Sequence, residues 1–122
     1  MSAPARHAVA ADFVFDGVTL HRDMAVVVDG AAITRLVART EVADIATTAL
    51  PRGIWLAPGF VDLQVNGGGD LLFNDAPTPQ TLRTIAAAHR RYGTTGLLPT
   101  LITDAPEKTA LAIAAVETAM RD

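Results

Sequence analysis

The sequence predicts an α/β fold in two parts, and three observations carry that prediction. Residues 12–56 break short β-branched and aromatic runs with Asp-Gly pairs. Two later segments show helical periodicity bounded by helix-start residues. An apolar run suited to a strand precedes each of those helices. The division falls at Pro58, giving a strand-rich part over residues 1–57 and a β/α part over 58–122.

In the first part, "DFVFDGVTLH" and "DMAVVVDGAAITRLV" supply the strand formers, and Asp16-Gly17 and Asp29-Gly30 supply the turns. Asp-Gly between two apolar runs is a hairpin signal because it tolerates the positive φ of tight turns. The expected elements are a strand near Phe13–Phe15, then a hairpin of Val26–Asp29 with Ala32–Val37. Residues 39–49 read either as a short helix or as an irregular excursion. "GIWLAPG" reads as one more short strand. Three or four such strands make a small sheet with little to bury it.

In the second part, Phe60–Asn66 is the first strand. A helix over Pro77–Tyr92 follows, with Thr78 as N-cap, Pro79 at the first helical position and Gly93 as the stop. Leu82, Ile85, Ala86 and His89 share one face of it. "TTGLLPTLIT" is a second strand, apolar along most of its length, as suits a parallel strand covered on both faces. A second helix runs from Asp104 to Met120, with Asp104…Glu107 spaced as a capping box. Strand, helix, strand, helix with crossovers of this length means parallel strands. Two such units cannot close a barrel of about 250 residues, and the second strand's outer edge would be left unpaired. The expectation is therefore a piece of a longer protein, the alternative being a small self-contained α/β domain.

Composition removes several function classes. Half the residues are hydrophobic and the net charge is −3, which suits a globular protein rather than a disordered one. Basic residues are scattered apart from His89-Arg90-Arg91, so there is no stripe for a nucleic-acid backbone. The absence of cysteine excludes disulfides and thiolate metal sites, and fits a reducing cytoplasm. Asp12 interrupts the only candidate leader, and no run approaches the ~20 apolar residues of a membrane span. A soluble cytoplasmic protein, with neither nucleic acid nor membrane as partner, is expected.

The chemistry concentrates in "PGFVDLQVNGGGD", Pro58 to Asp70. Alternate strand residues share a face, so Asp62, Gln64 and Asn66 are expected on one side and Val61, Leu63 and Val65 under the helices on the other. The polar set would run to the strand's carboxyl end, though for Asp62 alone hydrogen bonds within the fold are the favoured reading. Gly67, Gly68 and Gly69 permit unusual backbone angles or close approach of a ligand. Asn74 and Asp75 follow, as ligand-approaching residues or, the favoured reading, as turn formers before Pro77. Leu72 stands where a dinucleotide fingerprint starting at Gly67 needs glycine. His7, His21 and His89 share no metal-ligand spacing, and His89 reads as a packed helix residue. Trp55 and Tyr92 read as packing residues, Asp104 as a cap. Thr100 and Thr103 lie near the end of the second strand.

"LAPGFVDLQVNG" resembles the first barrel strand of the amidohydrolase superfamily, whose usual pattern is P-G-x-x-D-x-H-x-H with two metal-binding histidines. Gln64 and Asn66 stand at the histidine positions. With "FNDAP" and "GTTGLLPTLITD" in order behind it, the segment Gly53 to about Asp104 resembles the N-acetylglucosamine-6-phosphate deacetylase family. That resemblance implies the first two β/α units of a TIM-type (β/α)8 barrel plus the N-terminal part of a small β-sandwich domain. It implies hydrolysis of the N-acetyl group of N-acetylglucosamine 6-phosphate to glucosamine 6-phosphate and acetate. It also implies one divalent metal ion (zinc or iron) in the full-length enzyme, and a homodimer. The family's glutamate, histidines and aspartate would lie beyond residue 122, so this piece holds no catalytic residue and no metal ligand. Carboxamides are weak ligands beside imidazole, which implies that Gln64 and Asn66, with Asp62, line the site as hydrogen-bonding groups. Gly67, Gly68 and Asn74 are the substrate-loop candidates. Alone, the piece is expected to be inactive, metal-free and poorly soluble. Two other readings stand: another amidohydrolase-fold deacylase or cyclic-amide hydrolase, and a non-catalytic α/β binding module.

Overall fold

The computed structural model describes residues 6–121. The reading that no leader is present rests partly on residues 1–5 and lies outside them. The chain divides into two compact units, Met1–Pro58 and Gly59–Asp122.

The first unit is a five-stranded sheet: β1 (His7–Phe15), β2 (Leu20–Asp29), β3 (Ala32–Ala38), β4 (Thr47–Ala49) and β5 (Trp55–Leu56). β1 pairs antiparallel with β2, and β2 with β3. On its other edge β1 takes β4 and β5 as parallel neighbours, one along Ala8–Ala10 and the other along Phe13–Val14. Both Asp-Gly pairs turn the chain as expected, with Gly17 at φ +104° and Gly30 at φ +60°. The expected hairpin is present, but its strands are longer. β1 begins at His7, because pairing with β2 overrides the weak β-preference of its alanines. Residues 39–49 hold a short helix, a 3₁₀ turn at Arg39–Val42 whose Glu41 Oε1 accepts from Ala38 N at 3.0 Å, and then the strand β4, which neither reading expected. The sheet does bury a core, of Ala8, Ala10, Ala25, Val27, Val37 and Val42, with Ile45 packed against it.

The second unit holds β6 (Phe60–Val65), a tiny hairpin of β7 (Gly67–Gly68) and β8 (Leu71–Leu72), α1 (Pro79–Arg90), β9 (Thr94–Pro99) and α2 (Pro106–Ala119). β6 and β9 form a two-stranded parallel sheet. Thr78 caps α1 through Oγ1, which accepts from Thr81 N at 3.1 Å, and Gly93 at φ +94° follows its end. The core joins Val65 and Phe73 to Leu82 and Ile85 of α1 and to Ala112 and Ala115 of α2.

Three expectations fail here. Residues 61, 63 and 65 do not all pack under the helices: Val65 is buried, but Val61 and Leu63 are 65% and 71% exposed. The pairing of β6 shifts register between Asp62 and Val65, so strict alternation is broken. β9 ends at Pro99 rather than Thr103. Helix α2 has no capping box: its N-cap is Ala105, with no side-chain cap bond. Pro106 fixes the helical start, which leaves Asp104 one residue too early to cap.

Candidate functional site

The polar residues gather at the carboxyl ends of β6 and β9, held by bonds between the loops that follow the two strands. Thr100 N donates to Val65 O at 2.8 Å, and Asn66 Nδ2 donates to Thr100 O at 3.2 Å. Phe73 N donates to Asn66 O at 2.8 Å, which ties the chain beyond the glycines back to the strand end. Asn66 therefore spends one amide N–H, and its second N–H and its Oδ1 take no hydrogen-bond partner among the described residues. The Gln64 side chain is exposed, and its backbone N–H donates to Asp62 Oδ1 at 3.2 Å.

Asp62 does not join these two amides. Its Oδ2 lies 3.8 Å from His89 Nδ1 on α1, while its Oδ1 braces the bulge through Gln64 N. The expected shared face of Asp62, Gln64 and Asn66 is thus broken by the register shift.

The glycine run has a local cause. Gly69 and Asp70 take φ +61° and +62°, the two positive angles of a I′ hairpin turn. A Cβ on Gly67 would sit 2.4 Å from the Leu71 carbonyl oxygen, and one on Gly68 2.9 Å from His89 Nε2. The close approaches here are to this chain's own backbone and to α1.

Asn74 is 7% exposed and fully engaged. Its Nδ2 donates to Ile102 O at 2.8 Å and Asp104 Oδ2 at 3.1 Å, and its Oδ1 accepts from Ile102 N at 2.9 Å. It ties the loop after β8 to the loop after β9, which is more than the turn-forming part expected of it. Asp104 also accepts from Lys108 Nζ at 2.9 Å and Ala105 N at 2.9 Å. Lys108 first, then Asn74 and the Ala105 N–H, lower its carboxyl from 3.8 to about 2.

Sequence reasoning missed the part played by His89. It is half-buried, and its Nε2 meets Gly67 O at 3.0 Å. The one available signal was its place at i+7 from Leu82, on the helix face that meets the strand. Among the described residues, no group of three or more His, Asp or Glu side chains could hold a metal ion, so these residues do not fit a metal site by themselves.

The fold is one found in solved N-acetylglucosamine-6-phosphate deacetylases. A solved N-acetylglucosamine-6-phosphate deacetylase from Pasteurella multocida superposes with a TM-score of 0.90 at 28% identity, over 96% of this chain and 31% of that one. Among curated relatives, the N-acetylgalactosamine-6-phosphate deacetylase of Shewanella sp. (strain ANA-3) is 61% identical over 49 residues, 40% of this chain and 12% of its own. The N-acetylglucosamine-6-phosphate deacetylase of Haemophilus influenzae is 37% identical over 87 residues, 71% of this chain and 23% of its own. No protein-family model matches. The chain thus resembles the amino-sugar 6-phosphate deacetylases in sequence and fold, while the matched regions span less than a third of these proteins.

Proposed function

We propose that this chain forms part of an amino-sugar 6-phosphate deacetylase that hydrolyses the N-acetyl amide of N-acetylglucosamine 6-phosphate to glucosamine 6-phosphate and acetate. One observation carries the reading. Gln64 and Asn66, which on the resemblance stand where amidohydrolases carry His-x-His, lie at the carboxyl end of a parallel strand, and among the described residues the Gln64 amide and the rest of the Asn66 amide have no partner. Neutral carboxamides can both donate to and accept from a sugar or its acetamide, and so orient it. Asn74, whose amide bonds the loop after β9, supports the site's loops in this reading. The divalent metal belongs to the same reading, zinc or iron on the resemblance, with its ligands outside this chain's residues. So do a homodimer and a cytoplasmic location. Among the described residues, no helix is long and apolar enough to cross a membrane.

The 61% identity to the Shewanella relative supports a second substrate, N-acetylgalactosamine 6-phosphate. The test is acetate release from both sugar phosphates by the complete product of the reading frame that encodes this chain. Release from either supports the class and selects the sugar; release from neither refutes the proposal. Asn66→Ala should lower kcat/KM about tenfold, the equivalent of one hydrogen bond of roughly 1.4 kcal/mol.

A further inference from the structure

We infer that His89 is a positioning residue that fixes the Gly67–Leu72 hairpin beside Asn66, an inference resting on the deacetylase reading. The chemistry of the contact fixes the proton. Gly67 O can only accept, so His89 Nε2 carries the hydrogen and donates to it at 3.0 Å. The other ring nitrogen, Nδ1, faces Asp62 Oδ2 at 3.8 Å, and Asp62 is itself fixed to the bulge of β6 through Gln64 N. One imidazole thus links the end of α1 to the hairpin, beside the Asp62 carboxylate.

Backbone bonds anchor the far end of the hairpin, Phe73 N to Asn66 O at 2.8 Å and Asp75 N to Leu72 O at 3.1 Å. Among the described residues, the His89 bond is the one side-chain hydrogen bond it receives. A cavity of about 280 Å³ lies between it and the end of α1, lined by Gly68, Gly69, Ala88, His89, Arg91 and Tyr92. Gly68 fits the same arrangement, because a Cβ there would lie 2.9 Å from Nε2 and push the ring away. Gly67 follows Asn66 directly, so a displaced hairpin moves the Asn66 backbone and the direction of its free amide. His89 would act on substrate through that backbone and never touch it.

The test uses the complete enzyme. His89→Gln keeps an N–H at nearly the reach of Nε2, whereas His89→Leu keeps volume and removes the donor. For the acetylated sugar phosphate that wild type prefers, His89→Leu should raise KM about tenfold with kcat within about twofold, since orientation rather than bond-making is lost. His89→Gln should return KM to within about threefold of wild type. Gly68→Ala should reproduce the Leu effect with the histidine present, and the double variant should be no worse than either single one. Amide exchange supplies a readout apart from activity: hairpin amides should exchange at least about tenfold faster in His89→Leu, with those of α2 unchanged. An unchanged KM or unchanged hairpin exchange in His89→Leu overturns the inference, as does a Gln variant no better than Leu. Should wild type release no acetate, the functional reading fails, and exchange alone decides whether His89 holds the hairpin.

Discussion

The sheet of the first unit and the β6–β9 pair of the second are both built from short strands, yet they are completed by different means. In the first, neighbours in sequence are neighbours in space: β1, β2 and β3 follow one another through two tight turns, and β4 and β5 fill the far edge of β1. In the second, β6 and β9 are joined through α1, and among the described residues each has only the other to pair with. Phe60, Val61, Leu63 and Leu98 are 56–71% exposed. An antiparallel meander can satisfy itself locally, whereas a parallel pair needs strands on both sides and cover on both faces. The contrast explains why the second unit alone looks unfinished while carrying the polar groups.

Predictions that sharpen this contrast start in the core of the second unit. Ile85→Ala should cost that unit about 2–5 kcal/mol and leave the β1–β3 amides protected, measured by denaturant titration with exchange mapping. If β1–β3 lost protection equally, the units would not be independent. Gly67→Ala sets a Cβ against the Leu71 carbonyl, which cannot swing aside as a side chain can. It should cost about 2–4 kcal/mol and abolish hairpin protection. Thr78→Ala removes the α1 cap and should cost about 1 kcal/mol, with Thr78→Ser near wild type.

Acid gives the smallest effect, with one carboxyl in each unit. Asp16 is lowered from 3.8 to about 2 by the Thr19 N–H first, then by His21 and the Val18 N–H. Asp104 is lowered as far, by Lys108 and Asn74. A depressed folded-state value means that each contributes stability in full above about pH 4, lost as pH falls through about 2. Asp16→Asn and Asp104→Asn should each flatten the acid limb of their own unit's melting-temperature profile, and only that one.

Legibility from sequence follows the same divide. The Asp-Gly turns and the Thr78-Pro79 start were legible because they act within a few residues. The sequence missed β1's early start because alanines signal a strand only once β2 lies beside them. It misplaced Asp62 because a bulge, set by pairing with β9, breaks the alternation that the reading assumed. Of its two readings of the glycines, unusual backbone angles hold at Gly69, but nothing local reveals that Leu71 and His89 crowd Gly67 and Gly68. Asn74 was read as a turn former because its partners, Ile102 and Asp104, lie about thirty residues away.

The central claim, that β6 and β9 are strands awaiting neighbours, is most directly tested by amide exchange on the 122-residue chain at low concentration. The account predicts strong protection along β1 and β2 and weak protection along β6 and β9, rising when the complete protein is measured. A monomer whose β6 and β9 amides are protected as fully as those of β1 and β2 would contradict it.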